Sequence, residues 1–158
     1  MSHSVERALD GPGEDEYVEA AWALKERVRE TDGVLKQRRG FFVRAYRRAT
    51  AFLFLVNDDL AGFAAARDSG YLLFLAVAPE HRNEGLGERL VGAVAEEFGT
   101  VTCHARASNE GALAFYEAVG FERVRKVPGY YEDGGDAYYL RLGEDASLRQ
   151  RLSEWLGR

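Results

Sequence analysis

The chain has 158 residues and carries 26 acidic against 21 basic side chains, giving a net charge of −5 at pH 7. Its length suits one compact domain, so we expect residues 1–158 to form a single domain. The acidic balance argues against general nucleic-acid binding, because neutralising phosphates requires a basic surface. The sequence also lacks the apolar runs of a membrane span or a signal peptide, and its single cysteine excludes an internal disulfide. We therefore expect a cytoplasmic protein that binds neither membranes nor nucleic acids directly.

The first half of the chain is predicted to contain a strand, two helices and three further strands. A short strand is expected near Val5–Leu9, and apolar residues recur at helical spacing over Glu14–Arg29. Asp32 is expected to cap a second helix over Val34–Arg48. The next predicted strands are Thr50–Val56, Leu60–Ala66 and Tyr71–Val77. Short turns join these strands, so we expect them to pair as antiparallel neighbours.

The second half alternates between helices and strands. Apolar residues spaced four apart predict a helix over Gly85–Phe98. The elements predicted after it are a strand at Val101–Arg106, a helix at Asn109–Val119, strands at Phe121–Val127 and Ala137–Leu142, and a terminal helix at Ser147–Leu156. This order predicts an α/β (α+β) fold: a mixed, mostly antiparallel central sheet of about seven strands with helices on both faces.

A glycine-bearing loop joins the strand that ends at Val77 to the helix that begins at Gly85. The first turn of a helix has unpaired N–H groups and a partial positive charge, which together can bind a diphosphate. Gly85 and Gly87 would let phosphate oxygens approach the backbone, and Arg82 adds a permanent positive charge. A plain strand-to-helix connection is the alternative. The loop lacks the Gly-Lys-Ser/Thr ending of a P-loop and the first glycine of the dinucleotide fingerprint.

Two motifs carry a resemblance to a known family. The stretch Arg82-Asn83-Glu84-Gly85-Leu86-Gly87 matches Gln/Arg-x-x-Gly-x-Gly/Ala, and Asn109–Phe121 follows about 20 residues later. In both features the sequence resembles the GCN5-related N-acetyltransferase (GNAT) superfamily. Within it, Arg106–Asn109 and the Tyr130-Tyr131 pair are most similar to the ribosomal-protein alanine and N-terminal acetyltransferase branch.

The resemblance implies the acyl-CoA N-acyltransferase (GNAT) fold and acetyl-CoA as co-substrate. It implies that backbone groups of Leu75, Ala76 and Val77 bind the pantetheine arm and the acetyl carbonyl. The residues implied to wrap the diphosphate are Asn83, Glu84, Gly85, Leu86, Gly87 and Glu88. Asn109 would contact the CoA arm, Tyr116 would lie beside the sulfur, and the segment Gly33–Ala49 would contribute to the acceptor site. The two glutamates of the loop depart from expectation, because they place negative charge near the proposed phosphate site.

Direct acetyl transfer needs a base for the amine, an acid for the departing thiolate and donors for the oxyanion. Tyr116 is the candidate acid, with a packed core aromatic as the alternative. His104 is the candidate base, since an imidazole titrates near neutral pH and it occupies the position where the branch commonly has a glutamate. A structural histidine, or a water chain to Glu80 or Glu132, remains the alternative.

Other chemistry-bearing residues receive simpler interpretations. Cys103 is expected on the strand face opposite His104, as a small buried residue rather than a nucleophile. The histidines and the cysteine lack ligand spacing, so no metal site is predicted. Two clusters of charged side chains are each expected either to be solvated or to attract an acceptor of opposite charge. They are the cations Lys36, Arg38, Arg39, Arg44, Arg47 and Arg48, and the acids Glu132, Asp133 and Asp136.

The sequence therefore predicts an acetyl-CoA-dependent N-acetyltransferase (EC 2.3.1 type) that works by direct attack in a ternary complex. The expected acceptor is a protein N-terminal α-amine. The alternatives are a small-molecule amine, a lysine side chain, or a CoA-binding regulatory module without catalysis. The expected assembly is a monomer or a homodimer.

Overall fold

A computed structural model describes residues 5–143, which form seven strands, four α-helices and one 3₁₀ turn. In chain order they are β1 Val5–Asp10, α1 Val18–Asp32, α2 Arg39–Arg48, β2 Thr50–Val56, β3 Asp59–Ala66, β4 Leu72–Val77, the 3₁₀ turn Pro79–His81, α3 Leu86–Phe98, β5 Thr102–Arg106, α4 Glu110–Val119, β6 Phe121–Val127 and β7 Ala137–Leu142. The predicted terminal helix at 147–156 lies outside the described residues. Within residues 5–143, the helices are too short or too polar to cross a membrane.

The seven strands form two antiparallel sheets, so the prediction of one seven-stranded sheet is wrong in that respect. One sheet has the order β1-β2-β3-β4 and the other β5-β7-β6. A single parallel bridge between Tyr71 and Thr102 connects β4 to β5, and the Thr102 N–H donates to the Gly70 carbonyl at 3.0 Å. The two strands leave this junction side by side without further pairing among the described residues. A cleft therefore opens between the sheets toward the carboxyl ends of β4 and β5.

The junction depends on a glycine. Gly70 has a φ of +84°, and a Cβ at this position would lie 2.2 Å from the carbonyl oxygen of Thr100. Such a contact is far inside van der Waals distance, so glycine is the residue that lets the β3–β4 turn approach the start of β5. The sequence places Gly70 in a turn, but the pairing across the two sheets is visible only in three dimensions.

Helices cover both faces, as predicted. On one face α3 and α4 pack over an apolar core that includes Leu90, Val91 and Leu140. On the other face α1 and α2 pack over a second core centred on Phe42, whose ring lies 4.8 Å from the ring of Phe74. The mixed fold with helices on both faces is thereby confirmed.

The first helix begins later than predicted. The buried carboxylate of Asp10, at the end of β1, accepts hydrogen bonds from the backbone N–H groups of Glu16 and Tyr17 at 3.2 and 2.9 Å. The Tyr46 hydroxyl donates to the same carboxylate at 2.5 Å. These bonds hold the preceding acidic residues in a turn, so α1 starts at Val18 instead of Glu14. A side chain distant in sequence fixes this boundary, which explains why periodicity misplaced it.

The second helix also begins later, and Asp32 is not its cap. Asp32 is the last residue of α1, which Gly33 ends in the left-handed conformation with a φ of +71°. Leu35 follows with a φ of +56°, which is unfavourable for a leucine and incompatible with a continuing helix. The helix α2 therefore starts at Arg39, and 33–38 form a separate connecting segment.

Candidate functional site

The cleft has an open strand edge as one wall. The Ala78 N–H donates to the Ala61 carbonyl at 2.8 Å, and β4 pairs antiparallel with β3 beyond it. Backbone groups of an antiparallel strand alternate between its two edges, so those of Ala76 point toward β3. Those of Leu75 and Val77 point the other way, into the cleft. Of the three residues predicted to bind the pantetheine arm, Leu75 and Val77 therefore have backbone groups that face the cleft, and Ala76 does not.

The loop after β4 forms a concave row of backbone donors. Asn83 and Gly85 have φ angles of +63° and +79°, and Gly85 is the N-cap of α3. The first intrahelical bond runs from the Arg89 N–H to the Gly85 carbonyl at 3.1 Å. The N–H groups of 86–88 therefore have no partner within the helix. Left-handed residues next to a helix start direct successive N–H groups into one concavity, which suits a diphosphate.

Gly87 has a packing role in addition to the predicted one. A Cβ at Gly87 would lie 2.9 Å from the ring of Phe115 on α4. Helices α3 and α4 can therefore approach one another at this point because residue 87 has no side chain. This contact brings the glycine-bearing loop next to α4, the helix that carries Tyr116 and that Asn109 caps.

The charged side chains of the loop point in different directions. The Arg82 guanidinium donates to both carboxylate oxygens of Asp32 at 3.2 and 2.6 Å, so it joins the loop to the end of α1. Glu84 turns away to His81, with its carboxylate 3.2 Å from Nδ1. Glu88 folds back instead, and its Oε2 lies 3.7 Å from where a Cβ on Gly85 would be. Glu88 thus brings a negative charge to the proposed diphosphate site.

Asn109 and Tyr116 lie on the α4 side of the cleft. The Asn109 Oδ1 accepts from the Ala112 N–H at 3.0 Å and caps α4, a bond that does not use its side-chain nitrogen. Tyr116 lies next to the Cys103 thiol, and burial followed by this neighbour raises the pKa of Tyr116 well above its usual value. The phenol therefore stays protonated at neutral pH, as an acid for a thiolate must.

Cys103 is buried, as predicted, and its side chain faces α4 rather than His104. Burial raises the pKa of its thiol to about 12, so it is not a nucleophile at neutral pH. Across residues 5–143, no three His, Cys, Asp or Glu side chains are grouped to hold a metal ion.

His104 lies on the opposite face of β5, inside a cage of aromatic rings. Its Nδ1 lies 2.7 Å from the Tyr71 hydroxyl. Its ring stacks on Tyr130 with centroids 4.2 Å apart and contacts Tyr139 at 5.1 Å. Burial and, secondarily, the positive charge of Arg125 lower the pKa of His104. Below its ordinary value of about 6.5, this pKa leaves the imidazole neutral at pH 7 and able to accept a proton.

Tyr71 is the site residue that the sequence analysis missed. Burial, followed by a hydrogen bond with Tyr130, raises the pKa of its hydroxyl, so Tyr71 is protonated at neutral pH. It shares one hydrogen bond with the neutral imidazole of His104, and the tautomer decides which atom holds the proton. In the sequence Tyr71 is merely the first residue of an apolar strand. No local pattern links it to His104, which lies 33 residues away.

The two carboxylates considered as alternative bases have different surroundings. Glu80 accepts a hydrogen bond from Arg27 at 2.5 Å, and this bond holds the pKa of Glu80 below its usual value. Its carboxylate is therefore a weaker base than an isolated one. Glu132 is exposed in the turn between β6 and β7.

The β6–β7 turn lies next to this site, since its Tyr130 stacks on His104. Asp133 of the turn accepts from Arg106 at 3.0 Å, and its pKa is lowered by this bond and, more weakly, by the charge of Lys36. Asp136 accepts from the Gly129 N–H at 2.9 Å and lies 3.6 Å from Lys126. Both aspartates predicted as possible attractors of a cation are thus paired within the protein.

A family model described as acetyltransferase (GNAT) domain matches residues 34–138. Among curated proteins, the Nα-acetyltransferase MAK3 of Arabidopsis thaliana is 38% identical over 78 residues, covering 46% of this chain and 41% of that protein. The Nα-acetyltransferase 30 of Schizosaccharomyces pombe is 30% identical over 101 residues, covering 56% of this chain and 67% of that protein. The chain spans less than half the length of several curated relatives it matches, and as little as 26% of one.

Solved structures share the fold over nearly the whole chain. The ribosomal-protein-S18-alanine N-acetyltransferase of Escherichia coli has a TM-score of 0.68 at 26% identity, covering 89% of this chain and 98% of that one. Arabidopsis thaliana NAA60, solved in complex with acetyl-CoA, also has a TM-score of 0.68, at 17% identity, covering 87% and 98%. The second likeness shows the fold alone.

Proposed function

Because this chain belongs to the GNAT acetyltransferase family, we propose that it transfers acetyl from acetyl-CoA to the α-amine of a protein N-terminus. The observation that carries this proposal is the Tyr71–His104 pair, which lies at the cleft on the face of β5 opposite Tyr116. Relatives named as Nα-acetyltransferases support the choice of acceptor.

Acetyl-CoA would bind along the open edge of β4 and around the start of α3. The free backbone groups of Leu75 and Val77 would hold its extended arm, and the N–H groups of 83–88 its diphosphate. Asn109 would add its unused side-chain nitrogen as a donor to the arm. When bound, acetyl-CoA supplies an activated acetyl thioester. The fit rests on the concave row of donors at Asn83 and Gly85 and on the unpaired strand edge.

Proton removal from the incoming amine falls to the Tyr71–His104 pair. The Tyr71 oxygen can take a proton from the amine, directly or through a water, while its own proton passes to Nδ1 of His104. The neutral state of His104 at pH 7 makes it a ready final acceptor. Glu80 is the weaker candidate, because its ion pair with Arg27 stabilises the carboxylate form.

Proton delivery to the departing thiolate falls to Tyr116. The raised pKa of its phenol keeps the proton in place until a basic sulfur forms nearby. His104 and Tyr116 extend from opposite faces of β5, so the base is directed to the acceptor and the acid to the cofactor. This separation suits a ternary complex, because each group serves one substrate.

The test is an acceptor panel assayed with acetyl-CoA and read by mass spectrometry. The panel contains a peptide with a free α-amine and an internal lysine, the same peptide with its α-amine formylated, and a polyamine. We expect acetyl on the free α-amine peptide and none on the formylated one. Acetylation of the lysine or the polyamine alone would overturn the proposed acceptor. Tight acetyl-CoA binding without turnover on any amine would instead indicate a regulatory module.

A further inference from the structure

Two exposed arginines flank the catalytic aromatic cage. Tyr71 and Tyr139 contact His104 from different sides, with ring centroids 5.7 and 5.1 Å from the imidazole. The guanidinium of Arg67 lies 5.2 Å from the centroid of the Tyr71 ring, and that of Arg125 lies 4.6 Å from the centroid of the Tyr139 ring. Each positive charge is therefore one ring away from the proposed base.

These two arginines differ from Arg106 and Lys126, which are paired with carboxylates. Arg106 pairs with Asp133, and Lys126 lies 3.6 Å from Asp136. Among the described residues, no carboxylate lies within ion-pair distance of Arg67 or Arg125. They hold positive charge against the aromatic rings, and these faces stabilise a guanidinium without neutralising it.

We propose that Arg67 and Arg125 select acceptors with an aspartate or glutamate at the second or third position of the N-terminus. This inference rests on the proposed function and names the substrate class of the same site. The chain as a whole carries a net charge of −5, so a general attraction to acidic peptides is not expected from bulk charge. The selection arises from the local pair of uncompensated arginines.

The distances fit a carboxylate shortly after the reacting amine. An extended chain advances by about 3.3–3.6 Å per residue. The second and third residues of an extended acceptor would therefore lie about 3.5 and 7 Å from an α-amine at the Tyr71–His104 pair. These lengths are comparable with the distances of 5.2 and 4.6 Å between the two guanidinium groups and the rings that contact His104. A guanidinium binds a carboxylate through two parallel hydrogen bonds, so it distinguishes glutamate from glutamine of the same shape.

The experiment compares peptides that differ in one charge. All acceptor peptides begin with alanine. One series carries Glu, Gln or Lys at the second position, and the other series carries the same three residues at the third position. We expect kcat/KM to fall in the order Glu, Gln, Lys, with a Glu/Gln ratio of about two to five for each arginine engaged, the range of exposed ion pairs. R67Q and R125Q should each lower this ratio, and the double variant should bring it near one.

The matched control is R123Q. Arg123 is also an exposed arginine of β6, and its guanidinium lies 4.4 Å from the Tyr138 centroid, but on the other face of the sheet, where it pairs with Glu117. Its Glu/Gln ratio should equal that of the unaltered protein. Ratios within each variant cancel any general change in rate.

The outcomes separate the two proposals. If no α-amine peptide is acetylated, the proposed function fails. If all three charge variants are acetylated at equal rates, or R67Q and R125Q leave the ratio unchanged, the proposed function stands and the inference about acidic acceptors is overturned. A preference that persists from low to high salt would also overturn it, because exposed charges are screened.

Discussion

At the residue scale, the alternation of one strand separates the two halves of the chemistry. Cys103 and His104 are neighbours on β5, yet one side chain meets Tyr116 in the α4 layer and the other meets Tyr71. Since successive side chains of a strand point to opposite faces, the proposed acid and the proposed base lie on opposite sides of β5. Each can then be tested by a change that leaves the other in place.

Tyr116→Phe removes the proposed acid while keeping the ring. We expect kcat to fall by about a hundredfold or more, within the usual range for general acid catalysis, with unchanged affinity for acetyl-CoA. Steady-state kinetics and calorimetry measure the two quantities. Tyr138→Phe, on a ring packed against the same core, is the control and should change neither. Equal kcat values for both variants would remove Tyr116 from the mechanism.

Arg125→Gln should shift the pH dependence. In the proposed mechanism His104 acts in its neutral form, so activity should fall as pH drops through its pKa. Burial and Arg125 both lower that pKa, and removing the cation raises it. The acidic limb of kcat/KM should therefore move to higher pH, measured on a peptide without charged side chains. Arg125→Lys keeps the charge and should keep the profile. An unmoved limb in Arg125→Gln would show that His104 does not control it.

At the element scale, the start of α3 combines a good anion site with an opposing charge. The unpaired N–H groups and the helix dipole attract a diphosphate. Glu88 lies in the first turn and folds back over Gly85. A carboxylate in the first turn stabilises the free helix, and it must yield the same space and charge to a bound phosphate.

Glu88→Gln should therefore tighten acetyl-CoA binding. Removing one half-buried negative charge next to the proposed diphosphate site is expected to lower Kd by about two- to fivefold, less at high salt. Calorimetry on the purified chain measures this directly. Glu84→Gln is the control, because that side chain is directed at His81, and its effect should be smaller. A weaker affinity in Glu88→Gln would mean that the carboxylate contributes to binding.

The boundary of α1 depends on a carboxylate buried between elements. Asp10 is 1% exposed and accepts from the Tyr46 hydroxyl as well as from two backbone N–H groups. Tyr46→Phe should lower the free energy of unfolding by about 1–3 kcal/mol, because a buried acceptor loses its donor. Urea denaturation measures the change. Tyr139→Phe, on a half-buried ring of the other sheet, should cost less than about 0.5 kcal/mol. Similar losses of unfolding free energy in the two variants would show that the Tyr46–Asp10 hydrogen bond does not stabilise the protein.

At the scale of the whole molecule, the cleft exists because two sheets meet at one point. Beyond the Tyr71–Thr102 bridge the sheets diverge, and the backbone edge that would have paired in a continuous sheet is left for a ligand. The same bridge brings Tyr71 to His104. The junction therefore sets both the open strand edge and the Tyr71–His104 pair on which the proposed proton route depends.

Gly70→Ala should loosen this junction. The added methyl would meet the Thr100 carbonyl at 2.2 Å, so we expect a loss of about 2–4 kcal/mol in the free energy of unfolding, with weaker acetyl-CoA binding. Gly129→Ala separates the steric contact from the backbone strain of a positive φ. Gly129 has a φ of +64° but no atom within 4 Å of its Cβ position. It should show only the backbone strain, about 1–2 kcal/mol. Equal losses would mean that the contact with Thr100 is unimportant.

The sequence by itself determined the order of the helices and strands and the position of the glycine-bearing loop before α3. β2, β6 and β7 have the bounds that alternation and turns predicted, and Gly85 caps α3 where its motif placed it. These features depend on residues close together in the chain. The division into two sheets, the Tyr71–His104 pair and the pairing of Arg82 with Asp32 were decided by tertiary structure. The contacts involved join residues 30 to 50 positions apart, and local periodicity carries no information about which such residues will meet.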